Sequence, residues 1–232
     1  GASSGADVPQ GHADALGKPA RGRGGIPAAE HLTTDQANAN RLVRLHGRRL
    51  LVAEGRWHAW DGHRWLADES DVYRATCQLS RVVREEAQEW DRRVARLKNE
   101  AVLRVAAVQS GNVSGEVGLR AVDVLVSGEG GARAAGGARS VIGEGLDPAA
   151  LDEMKAGAEL AESLHKWSVK SEMKVTIEAA VGLSRKMLTV ETDQLDADPW
   201  ALNTPTGVVD LRDGTVRKAK PGDLLTKLTG VG

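Results

Sequence analysis

Six carboxylates, Glu191, Asp193, Asp196, Asp198, Asp210 and Asp213, crowd one stretch near the end of this 232-residue chain, with Arg212 as their only cationic neighbour. Oxygen ligands of this kind suit a hard cation, and a metal-dependent hydrolase could be built on them. Turn chemistry explains the same residue types more simply. Asp196 and Asp198 lead into Pro199, and Asp213 precedes Gly214. Short acidic side chains accept hydrogen bonds from nearby amides and so begin turns. On this reading Trp200 and Leu202 anchor the segment by burial, and Asn203 and Gly207 belong to a second tight turn.

The opposite charge is concentrated earlier. Arg41, Arg44, Arg48, Arg49, Arg56 and Arg64 face only Glu54 and Asp61, a local excess of four positive charges in a chain of formal net charge −1. A basic patch attracts phosphate, which makes these six arginines the candidates for contact with DNA. The acidic run, with an excess of five, would then face a neighbouring subunit. A solvated helix face that binds nothing has the same composition. The global balance gives no general pull towards nucleic acid or membrane.

Aromatic residues are scarce: six tryptophans, one tyrosine and no phenylalanine. Exposed indoles stack on bases, but with so few aromatics available, burial of Trp60 and Trp65 is the favoured reading. His58 and His63 lack an evident third ligand for a metal. The lone Cys77 rules out an internal disulfide and a cysteine-based zinc site, suits a reducing cytoplasm, and is expected as a small buried apolar residue. "GHADALGKP" imitates a phosphate loop and fails: five residues separate Gly11 from Gly17, and Pro19 stands where Ser or Thr should bind magnesium. No apolar run approaches the roughly 20 residues that cross a bilayer.

The elements that must position these residues follow from periodicity. Residues 1–32 are small, polar and rich in Gly, Ala and Pro, and read as a flexible linker or tail. "TTDQ" predicts a capping box from Thr33 to Gln36, opening a helix that Gly47 ends. Arg48–Ala53 reads as a strand, and Asp61-Gly62 as a two-residue hairpin turn pairing Trp60 with His63 and His58 with Trp65. From Ser70 an apolar stripe through Val72, Leu79, Val83, Trp90, Val94 and Ala101 predicts one long helix or two in line. Residues 108–147 hold ten glycines and read as a flexible insertion with a short strand at "RAVDVLV". Asp147-Pro148 starts another helix, a further one runs roughly from Val169 to Arg185, and "KMLTV" reads as a short strand. "GVVDLRDGTVRK" is a hairpin turning at Arg212-Asp213-Gly214. The fold class is α+β: a mainly helical domain, residues 33–232, with an N-terminal Trp-rich β-hairpin and a small C-terminal β-hairpin.

Three stretches, "LTTDQANANRLVRLHGRRLLVAEGRWHAWDGHRW", "LHKWSVKSE" and "LDADPWALNTPTGVVDLRDGTV…KPGDLLTKLTGV", occur in one order. In this they resemble the helical domain that precedes the superfamily-three helicase in phage, plasmid and poxvirus DNA primase–helicases. The resemblance covers about residues 32–107 and 150–232. Its motif positions are Trp57, Trp60, Asp61, Gly62 and Trp65, then Asp198, Pro199, Trp200, Asn203, Gly207, Asp210, Leu211 and Gly214. Thr206 and Asp213 depart from the residues usual in the family. The 108–147 insertion has no counterpart there.

The resemblance implies a middle piece of a replication enzyme that unwinds DNA with ATP. It implies no catalytic residue and no cofactor in this chain; ATP and magnesium belong to the motor expected beyond it. The implied partners are forked or single-stranded DNA and further copies of the chain in a ring, in the cytoplasm of a bacterial host or phage-infected cell, with no membrane. A free-standing regulator derived from a prophage is the alternative, and sequencing past the codon for Gly232 separates the two.

Overall fold

The computed structural model describes residues 29–108, 114–142 and 146–230. The chain divides into two compact units. Among the described residues, the first comprises 35–79 and 171–230, and the second comprises 29–34 and 80–170. The rest of the expected 1–32 linker lies outside the described residues. Ala29–Leu32 forms a short helix, α1.

The first unit is built around a three-stranded antiparallel sheet, β1 (Leu50–Ala53), β2 (Arg56–Trp60) and β3 (Trp65–Ala67). Helix α2 (Asp35–His46), α3 (Glu69–Cys77) and α8 (Lys174–Met187) complete its core. Every residue of β1 is buried, because the sheet is covered on both faces. Leu50, Val52, Trp57 and Ala59 pack with Leu42, Val72 and Ala180. Leu51, Ala53 and Trp65 pack with Trp60, Val190, Leu195 and Leu224. A strand buried on both faces loses the alternation of a half-exposed one, which accounts for the uniform "LLVA". "KMLTV" is not a strand. Lys186 and Met187 end α8, and Thr189 makes one parallel bridge to Val52.

The Thr33–Gln36 capping box is not formed. The Thr33 hydroxyl donates to the Ala29 carbonyl at 2.8 Å, and the Gln36 amide donates to Asn40 at 3.0 Å. The β2–β3 register also differs from the expected one: Trp60 faces Trp65 and Ala59 faces Leu66. Residues 61–64 therefore make a four-residue loop. The Asp61 carboxylate accepts from the amides of His63 and Arg64 at 2.7 and 2.8 Å, and these bonds favour the longer turn. A slip of two residues in the partner strand preserves the faces of a strand, so the sorting of Trp57 from Trp60 and Trp65 survives.

The second unit contains α4 (Leu79–Val108) from residue 80 onward, α5 (Gly115–Ser127), α6 (Gly131–Ile142) and α7 (Pro148–Lys170). The predicted stripe is buried at Val83, Val94 and Ala101, and the stripe of α7 at Met154, Ala161, Leu164 and Trp167. Gly157 lets α7 approach closely, since a Cβ there would lie 2.8 Å from the Val94 methyl. Asp147 begins α7 as expected, accepting from the Ala149 amide at 3.0 Å.

Most of the supposed flexible insertion is helical. Gly118, Ala121, Val122, Leu125 and Val126 are buried at helical spacing, Ser114 is the N-cap, and Gly128 ends α5 at φ +72°. The glycines and β-branched residues argue locally against a helix. Tertiary burial of one apolar face against α4, α6 and α7 overrides them. The long helical stripe from Ser70 is two helices, divided at Gln78.

Candidate nucleic-acid interface

Helix α2 and the strands after it place the six candidate arginines very differently. Arg41 faces the core at 4 % exposure and donates to Asn38 at 3.2 Å, so it is corrected from the DNA-contact set. Arg49 pairs with Asp71 at 2.7 Å. Arg74, which the sequence reading did not single out, lies 3.5 Å from Asp71 and 3.6 Å from Asp68. The first turn of α3 thus supplies negative charge that the linear count of residues 41–64 omitted. Arg64 is half-buried and sits 3.7 Å from Asp61. Arg56 is exposed, 3.8 Å from Glu54.

Arg44, in the last turn of α2, and Arg48, just after it, are exposed, as Arg49 and Arg56 are. Cations there also complement the partial negative charge of a helix C-terminus. His46 between them is held below the usual histidine range, first by burial and then by the Arg49 guanidinium, against the opposing pull of Asp71. It adds no charge at neutral pH.

The tryptophans divide in the same way. Trp57 is 1 % exposed and Trp65 4 %, with the Trp65 indole donating to the Pro221 carbonyl at 2.9 Å. Trp60 is half-buried, its ring 5.6 Å from that of Trp65 and tilted by 59°. Burial of Trp65 removes it as a stacking platform. Arg185 approaches the Trp57 ring at 5.8 Å, and its guanidinium donates to the Gly55 carbonyl.

The acidic segment is a set of turns. Asp198 accepts from the Trp200 amide at 3.0 Å, Asp210 from Arg212 at 2.9 Å and Asp213 from Thr215 at 2.9 Å. Asp196 holds the amide and hydroxyl of Thr226 at 2.8 and 2.5 Å. The bonds from Thr215 keep the Asp213 carboxyl below the ordinary aspartate range. For Asp61 burial acts upward, and the amides of Arg64 and His63 outweigh it. Among the described residues no three His, Cys, Asp or Glu side chains converge as a metal site.

These turns build a second antiparallel sheet, β4 (Ala201–Thr204), β5 (Gly207–Asp210) and β6 (Val216–Arg217). It has three strands where a single hairpin was expected. Asn203 is buried, and its amide donates to the carbonyls of His63 at 3.0 Å and Lys227 at 2.9 Å. Gly207 adopts φ +145° and Gly214 φ +74°. Arg217 and Asp223 form a two-point ion pair at 2.7 and 2.9 Å, which raises the arginine further. Trp200 and Leu202, expected as buried anchors, are 47 % and 39 % exposed. Their outward direction follows from strand alternation: Ala201 and Asn203 take the inward positions. Cys77 is exposed as well, at the end of α3.

The second unit has an open groove of about 710 Å³. Its ionisable walls are tied together, His165 to Asp91 at 2.8 Å, Lys98 to Asp123 at 2.6 Å and Lys166 to Glu162 at 2.6 Å. Among the described residues no helix is long and apolar enough to cross a membrane.

The profile of the domain family described as "D5 N terminal like" matches residues 39–232. Neither a curated protein nor a solved structure matches the chain. The family match takes in the tryptophan sheet, the helical unit and the acidic turns together, and the chain belongs to the D5 N-terminal-like family, the domain found in phage and poxvirus primase–helicase proteins.

Proposed function

We propose that this chain is the non-catalytic collar of a phage- or plasmid-type DNA primase–helicase, assembling subunits and guiding forked or single-stranded DNA beside an ATP-driven motor. The observation that carries this reading is the family match across residues 39–232. ATP and magnesium serve the motor, and this chain contributes position and contact in the cytoplasm of the host cell. Arg44 and Arg48, exposed at the end of α2, and Arg56, exposed in the following sheet, are the proposed DNA contacts.

Fluorescence anisotropy with single-stranded and forked DNA across a salt series tests the proposal. Each phosphate neutralised on a single strand adds about 0.7 to the slope of log affinity against log salt. Arg44→Glu with Arg48→Glu is therefore expected to weaken binding and to flatten that slope by about 1.4 or more. Absence of binding by the wild-type chain at low salt would remove the DNA-guiding role and leave assembly alone.

A further inference from the structure

Within the first unit, the β2–β3 loop and the second sheet enclose an open cleft of about 430 Å³. That volume lies at the lower end of the roughly 300–1,000 Å³ of small-ligand sites. Gly62 and His63 line it from the loop, and Thr206, Arg217 and Lys218 line it from the β4–β5 turn and the β6 strand. None of its lining residues is acidic, although the acidic turns belong to the same sheet. Gly62 stands at φ +106° with no atom within 4 Å of where a Cβ would lie, so its backbone is open to approach.

Two neighbouring carboxylates are engaged in holding the walls. Asp61 accepts from the amides of His63 and Arg64 at 2.7 and 2.8 Å. Asp223 holds Arg217 at two points, 2.7 and 2.9 Å, and takes the Lys220 amide at 2.8 Å. Arg217 also reaches the Lys218 carbonyl through Nη1 at 3.4 Å. Its Nε–H and the second Nη2–H stay without a partner among the described residues, on a guanidinium already fixed in place. Lys218 is exposed and makes no ion pair among the described residues. The exposed His63 ring contributes a further N–H.

Thr206 plays the opposite part. Thr204 donates its hydroxyl proton to the Gly207 carbonyl at 2.8 Å, so the proton shared with Thr206 at 3.0 Å comes from Thr206. The Thr206 oxygen is left as an acceptor. The cleft thus combines N–H donors, two of them on cations, with one acceptor. A nucleotide matches both, through an anionic phosphate and the amino group of a base. A carboxylate side chain or an inorganic anion matches only the donors.

We propose that this cleft binds one nucleotide of a single-stranded nucleic acid, with its phosphate on Lys218 and Arg217 and His63 beside them. The proposal rests on the DNA-guiding reading and gives it a second contact point, on residues separate from Arg44 and Arg48.

Amide NMR of the chain, titrated at low salt with a short oligodeoxyadenylate, tests it. The signals of Gly62, His63, Gly207 and Lys218 should shift. Lys218→Gln, a change at an exposed side chain, should remove those shifts while the spectrum of the free variant stays that of the folded wild type. In anisotropy the same variant should flatten the salt slope by about 0.7, one phosphate contact on a single strand, and Lys218→Arg should restore it. Shifts confined to α2, or a full response retained in Lys218→Gln, would overturn the cleft and leave DNA guiding intact. No shift anywhere would overturn both. Inorganic phosphate that reproduces the response at an equal concentration of phosphate groups would assign the cleft to a free anion and overturn the strand.

Discussion

At the scale of single residues, position outweighs type. Arg41 is as cationic as Arg48 in the sequence, yet it lies in the core against Asn38. Gly207 shows the reverse case, a residue whose type is dictated by position. It stands at φ +145°, and a Cβ there would lie 2.5 Å from the Arg217 carbonyl oxygen across β6. Gly207→Ala is expected to cost about 1–3 kcal/mol, measured by urea unfolding, because both strain and overlap oppose it. Gly214, at φ +74° with open space around it, should accept Asn with little loss, since Asn visits the left-handed region. Equal costs at the two sites would refute the close approach.

At the scale of elements, local signals located the helices better than they fixed turns and registers. The apolar spacing of α4 and α7 was legible because each has a single buried face. The β2–β3 loop was misread because the Asp61 carboxylate bonds two amides beyond it and lengthens the turn. Helix α5 was missed because its two glycines and its valines have low helix propensity, while its buried residues at positions 118, 121, 122, 125 and 126 carried the correct period. Leu125, 6 % exposed, belongs to the α4–α7 core. Leu125→Ala should therefore cost about 2–5 kcal/mol in denaturant unfolding. A flexible insertion would give nearly none.

At the scale of the whole molecule, ionisation couples to stability in one direction. His46 is held below its ordinary range, so the unfolded chain takes up a proton near pH 6.5 that the folded chain refuses. Stability is then lost as pH falls below about 6.5, down to the folded value. Asp61, Asp68 and Asp213 are also held low. Their contribution is present above about pH 4 and is lost as pH falls through their folded values. The melting temperature should therefore decline in two stages on acidification, and His46→Gln should remove the upper one. An upper stage that persists in that variant would assign it to another group.

The sequence by itself determined the family, the α+β class, the main helical stripes and the turn-forming use of the aspartates. Each of these depends on neighbours close in the chain, through periodicity, hydrogen bonds to nearby amides, or a motif in fixed order. Only the tertiary structure decided which cations remain exposed, which tryptophans are covered and where an apolar face stays open. Asp71 reaches Arg49 across 22 positions, and Asn203 reaches His63 across 140. Charge balance and burial are sums over neighbours in space, and linear order does not contain those sums.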